Sequence, residues 1–172
     1  MIDWPNWLGD LPTWVTSATI VIAALHYRNE RGRRRAEEER DSKSQASKLC
    51  AWVAFDKASE ARYGKRGLVI ANSSGSTFHD VAIDVQIHKN KPVTSLRLVV
   101  LPPGCYYAEH QGEGTDFAWA FPDPMDPADP RLRPYMKSPD YLVRNIEFHD
   151  ALGQHWRTDE RSVLSLVKSP AS

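Results

Sequence analysis

The stretch Val81–His88, VAIDVQIH, sets Val81, Ile83, Val85 and Ile87 in alternation with Ala82, Asp84, Gln86 and His88. A period of two over eight residues places one set of side chains on each face of a strand, so this segment predicts a strand with one buried face. The same pattern recurs downstream in Leu96, Leu98 and Val100, and it is stopped by Pro102, Pro103 and Gly104. Upstream, residues 50–55 (CAWVAF) and 67–71 (GLVIA) read as short strands, and Asn72–Ser76 forms a turn cluster. Further strands are expected at 106–108 and 117–121. Ile146 and Phe148 open a hairpin that turns at Asp150–Gly153 and returns at Trp156, and 163–167 is either a last strand or a frayed tail. Residues 122–139 hold six prolines and read as an ordered surface loop without an element of its own. Seven to nine short strands over about 120 residues predict a mainly β domain at 49–172, an immunoglobulin-like β-sandwich, with a small barrel as the second choice.

The chain before that domain has different chemistry. Residues 11–27, LPTWVTSATIVIAALHY, carry no formal charge apart from a titratable His26. Seventeen residues is the short end of what spans a bilayer as a helix. Trp4, Trp7 and Trp14 stand at one end and Tyr27 at the other, where interfacial aromatics sit. Five arginines follow, Arg28, Arg31, Arg33, Arg34 and Arg35, with Glu30 among them, a local net of +4. Positive charge after the apolar run and Asp3 and Asp10 before it disfavour a cleaved signal peptide, and they orient the N-terminus outside with the rest of the chain cytoplasmic. The expected organisation is an interfacial segment and transmembrane helix over 1–27, a charged juxtamembrane helix over 28–48, and the β domain. Trp14, Val15, Ile20, Val21, Ile22 and Leu25 are the expected anchor, and the five arginines the expected lipid-headgroup contacts. Burial of the apolar helix in a soluble protein or oligomer, and in-plane binding, are the competing readings.

Charge and motif content limit the functions that remain. The 172 residues balance 22 basic against 22 acidic, and 49–172 alone has 14 basic and 15 acidic residues. A domain near neutrality gives no sign of the basic face a nucleic-acid reader uses, so no nucleic-acid partner is expected. Cys50 and Cys105 form no C-x-x-C pair, and no phosphate-binding glycine motif occurs. The adjacent pairs His79–Asp80 and His149–Asp150 point to opposite faces if they lie on strands, so neither converges on an ion. His149 and His155 flank one turn and can approach across a hairpin. A thiol nucleophile at Cys105 beside His110, or a serine nucleophile at Ser74, fits less well than a strand cysteine and a turn serine. No catalytic, cofactor or metal residue is therefore expected. Trp52, Trp119 and Trp156 are expected to fill the core. Tyr106, Tyr107, Tyr135 and Tyr141 could make a binding face, but the proline-rich loop, with Arg131, Arg133 and Tyr135, is the better candidate for partner contact.

Three pieces of the chain, VIANSSGSTFHDVAIDV, the strand-ending LPPG and the closing FHDALGQHWRTDE, resemble the soluble domains of small membrane-anchored proteins of actinobacteria and their phages. The resemblance implies the anchor-plus-sandwich layout and carries no activity. Together these readings predict a single-pass membrane-tethered, non-enzymatic interaction or accessory module with a cytoplasmic β-sandwich, with a phage-associated role and self-association among its expected forms. The alternatives are a homo-oligomeric structural subunit, or a cytoplasmic-face hydrolase or metal enzyme built on the histidines of the second hairpin.

Overall fold

The computed structural model describes residues 11–57, 65–112 and 118–167. One helix, α1 (Leu11–Ala46), is followed by ten strands: β1 (Leu49–Asp56), β2 (Lys65–Asn72), β3 (Phe78–Gln86), β4 (Thr94–Leu101), β5 (Gly104–Glu109), β6 (Asp123–Pro124), β7 (Leu132–Pro134), β8 (Leu142–His149), β9 (His155–Thr158) and β10 (Leu164–Leu166). The chain divides into two compact units, Met1–Asp41 and Ser42–Ser172. The last turn of α1 therefore belongs with the strands.

Within the first unit α1 continues without a break through the expected anchor and charged connector. Glutamate, arginine, alanine and lysine dominate beyond Tyr27, and all are good helix formers. Glu30 and Arg34 pair at 2.8 Å across one turn, an exposed contact that water and salt screen. No helix among the described residues is long and apolar enough to cross a membrane. The helix itself is 36 residues long, but its apolar part is short, is interrupted by Thr13, Thr16, Ser17 and Thr19, and gives way to His26, Tyr27 and Arg28. From Leu11 to Leu25 the helix rises about 22 Å at 1.5 Å per residue, short of the roughly 30 Å hydrocarbon core. The expected anchor side chains Trp14, Val15, Ile20, Val21 and Ile22 lie outside the described ones, and Leu25 is exposed.

The second unit is mainly β. Two five-stranded antiparallel sheets have the orders β6-β5-β2-β1-β7 and β10-β9-β8-β3-β4. One core cluster draws Val53, Leu68, Ile70 and Ala108 from the first sheet and Phe78, Ile83, Leu101, Ile146 and Phe148 from the second. The two sheets thus share one interior, and Phe78 meets Phe148 edge-on at 4.8 Å in its centre.

The alternation read from Val81–His88 holds, with one phase change before it. Phe78 and Val81 are both buried although they are three residues apart. The β3–β8 register slips by one residue between His79 and Ala82, where Asp80 adopts φ 50°. Such a bulge resets which parity faces inward, and aspartate tolerates the left-handed conformation better than most residues. The paired strand β4 changes phase at the same level, turning Leu96, Leu98 and Leu101 inward and leaving Val99 and Val100 exposed.

Three expectations need correction. The proline-rich span is not free of elements, because β6 and β7 pair with β5 and β1 there. Pro124 and Pro134 sit in outermost strands, where a missing N–H leaves no ladder bond unmade. Conversely, residues 118–121 form no strand and join β5 through a bridge between His110 and Trp119 and a bond from Ala120 N to Glu109 O. Finally, Trp119 and Trp156 enter the core as expected, but Trp52 does not. It lies half-buried in the even-numbered row of β1, opposite the row that carries Leu49 and Val53 into the core.

Candidate functional site

The histidines of the second hairpin come together as their spacing suggested. His149 and His155 are register partners on β8 and β9, and their rings stack at 4.7 Å. His149 also faces His79 on β3, and its Nδ1 lies 3.6 Å from Asp80 Oδ2, ion-pair reach but too long for a hydrogen bond. His155 Nε2 lies 3.9 Å from Glu147 Oε2, and Arg157 Nε lies 3.5 Å from Oε1 of the same carboxylate. No group of three or more His, Cys, Asp or Glu among the described residues has the geometry to hold a metal ion.

His149 and Asp150 do not act as a pair. Asp150 is buried and accepts hydrogen bonds from Ser42 Oγ, Trp156 Nε1 and the backbone N–H groups of Leu152 and Gln154. Burial pushes this carboxyl up, but the donors outweigh it and hold it below the usual aspartate range. Four donors occupy the carboxylate, so its role is structural. Ser74 likewise serves a turn, donating its hydroxyl to Asn72 Oδ1.

The thiol readings fail on geometry. Cys105 and His110 lie five residues apart at opposite parity along β5 and its extension, so they face opposite sides about 16 Å apart. Burial pushes the Cys105 thiol up, away from the thiolate a nucleophile needs. Cys50 and Cys105 are both free. Each is a register partner of Ala71 from opposite sides, which sets them two strand spacings apart, about 10 Å.

The residues expected to meet a partner have separate surroundings. The Arg131 guanidinium is held by Asp129 at 2.7 Å within its own turn, while Arg133 is an exposed residue of β7 in register with Phe55. Tyr135 is half-buried, stacked on Tyr141 at 4.0 Å and tilted against Phe55 at 5.5 Å. Arg66 lies over the Tyr141 ring at 5.2 Å. This aromatic stack borders a cleft of about 300 Å³ beside the half of β1 that β7 leaves uncovered, with Trp52, Thr158 and Glu160 on its walls.

The opposite margin carries a larger feature, which the sequence reading did not single out. β4 ends its sheet, so among the described residues no strand pairs with its outer edge. Between β4 and Ala118–Pro122 runs an open groove of about 810 Å³, lined mainly by apolar groups. Val99 and Phe121 are 78% and 85% exposed there, the values of side chains with almost nothing packed on them. Trp119 forms part of the wall, and its buried Nε1 has no hydrogen-bond partner among the described residues. Its neighbour His110 meets the ring edge-on at 5.1 Å, and burial, reinforced by Lys91 and Arg66, lowers the imidazole pKa. An apolar edge without proline or lysine is one that other chains can extend. The available sign in the sequence was Val99–Val100, two adjacent apolar residues where alternation asks for one.

No family model, curated protein or solved structure matches this chain.

Proposed function

We propose that this protein is a membrane-tethered, non-enzymatic interaction module with an immunoglobulin-like domain. The observation that carries the reading is the change of chemistry along α1. Formal charge is absent from Leu11 to Leu25, and five arginines follow within Arg28–Arg35. In a single pass the apolar turns sit in lipid. The arginines then stand at the cytoplasmic headgroups, each favourable by about 1 kcal/mol on an anionic surface. Local thinning of the bilayer accommodates the short apolar length at a fraction of a kcal/mol per Å. The immunoglobulin-like assignment draws on strand order: β5-β2-β1 and β9-β8-β3-β4 correspond to E-B-A and G-F-C-C′.

The non-enzymatic part rests on what the polar residues already do. Asp150, Ser74 and Asn72 are committed to turns and to the domain's own hydrogen bonds. The unsatisfied surface is instead apolar and strand-like, the kind that takes a partner chain. High-speed centrifugation of cell lysate without detergent tests the tether. The full-length chain is expected in the membrane pellet after a high-salt wash, and recovery in the supernatant would remove the reading.

A further inference from the structure

We propose that the free edge of β4 accepts an extended protein segment as an added strand, with apolar residues entering the groove and an acidic residue beside Arg97. This rests on the reading of the domain as an interaction module and names the chemistry of its partner.

The pleat dictates two different environments along the added strand. Leu96 and Leu98 turn inward, so partner residues of that parity enter the space bounded by Trp119, Ala120 and Phe121. Partner residues of the other parity lie beside Ser95, Arg97 and Val99 on the outer face. Among the described residues that line the groove, Arg97 is the one charged side chain. Of the two acids on the adjoining strand, Asp84 is already engaged by Ser95 Oγ and by Asn145 Nδ2 at 2.6 Å, and Asp80 lies 3.6 Å from His149 on the other side. Among the described residues Arg97 therefore has no ion-pair partner midway along an apolar edge, which favours an acidic neighbour and disfavours a basic one. Pairing with a second copy of β4 in a register that opposes Arg97 to itself places like charges together. Main-chain hydrogen bonds supply the strand addition, and alternate side chains supply selectivity.

The bridge from His110 to Trp119 fixes the far wall at the margin of the other sheet. An inserted strand thus covers Val99 and Phe121 and closes the open side of the domain.

Fluorescence anisotropy on the full-length chain in mild detergent tests this with three labelled, capped heptapeptides. Each alternates valine and threonine; one has a central glutamate, one a central lysine, and the third is the glutamate peptide N-methylated at every second residue. The glutamate peptide is expected to bind at least tenfold more tightly than the lysine peptide. Arg97→Glu is expected to reverse that order, and N-methylation to abolish binding while leaving the protein untouched. Equal affinity for glutamate and lysine peptides, undiminished binding of the N-methylated peptide, or no binding at millimolar peptide overturns the proposal. So does a dimer by light scattering that dissociates on Val99→Lys, because the occupant is then a second copy. The membrane-pellet measurement is independent of these peptides, so tethering and strand addition fail separately.

Discussion

The Ser42 hydroxyl donates to Asp150 Oδ2 across 2.6 Å, joining two residues 108 positions apart in the chain. Both are buried, at 4% and 5% exposure. The same oxygen accepts from Trp156 Nε1 at 2.9 Å, while Oδ1 accepts from Leu152 N and Gln154 N. One carboxylate thus fastens the last turn of α1 to the β8–β9 turn and to a core tryptophan. Removing the acceptor strands buried donors, so Asp150→Ala is expected to cost about 1–3 kcal/mol for each donor left unsatisfied. Ser42→Ala, which removes one donor and leaves Gln154 near the vacated site, is expected to cost about 1 kcal/mol. Urea unfolding followed by tryptophan fluorescence measures both.

The same carboxylate gives the domain an acid-dependent stability. Its folded pKa is below the ordinary value, so the folded state favours the charged form. The stabilisation is complete above the unfolded aspartate pKa of about 3.9. It is lost as pH falls through the lower folded value. The stability difference between the wild type and Asp150→Asn is therefore expected to be constant from pH 7 to pH 5 and to shrink below about pH 4. Unfolding curves across that range check it, and a difference that grows on acidification would contradict it.

Tyr107 lies over Gly67 on the neighbouring strand, so close that a Cβ at position 67 would stand 2.4 Å from the ring. Burial, with Asp56 and Glu109 nearby, pushes the phenol up to about 12. Gly67→Ala is expected to destabilise the domain by about 1–3 kcal/mol through overpacking. Adding Tyr107→Ser should recover part of that loss, giving a non-additive double-mutant cycle. Ultraviolet difference titration should show this phenol moving back toward the ordinary tyrosine range in Gly67→Ala.

Cys50 and Cys105 stand on either side of Ala71, beyond the roughly 7 Å Cα separation that a disulfide can bridge. Protein purified without reductant is expected to show two thiols per chain on titration in denaturant. Burial raises both thiol pKa values, so both should react slowly in the folded state at neutral pH.

The parts of the fold legible in sequence were those with local periodicity. Val81–His88 announced β3, and Ile146 to Trp156 announced the β8–β9 hairpin with its stacked histidines. What escaped depended on partners distant in sequence. β6 and β7 are two and three residues long, too short for any period, and proline content argued against them. Trp52 has the composition of a core residue, and only its strand parity excludes it. Nothing near Ser42 signals Asp150. The groove at β4 required knowing that β4 ends its sheet, which follows from topology. Tyr135, a candidate for partner contact, lies half-buried against Tyr141 and Phe55, a neighbourhood that its sequence position did not announce.

Flotation of the full-length chain on detergent-free vesicles tests the tether most directly. With phosphatidylcholine vesicles the chain is expected to float. Vesicles containing phosphatidylserine should recover more of it, and replacing Arg28, Arg31, Arg33, Arg34 and Arg35 by serine should remove that difference without stopping flotation. A chain that stays at the bottom of the gradient with both vesicle types contradicts the account.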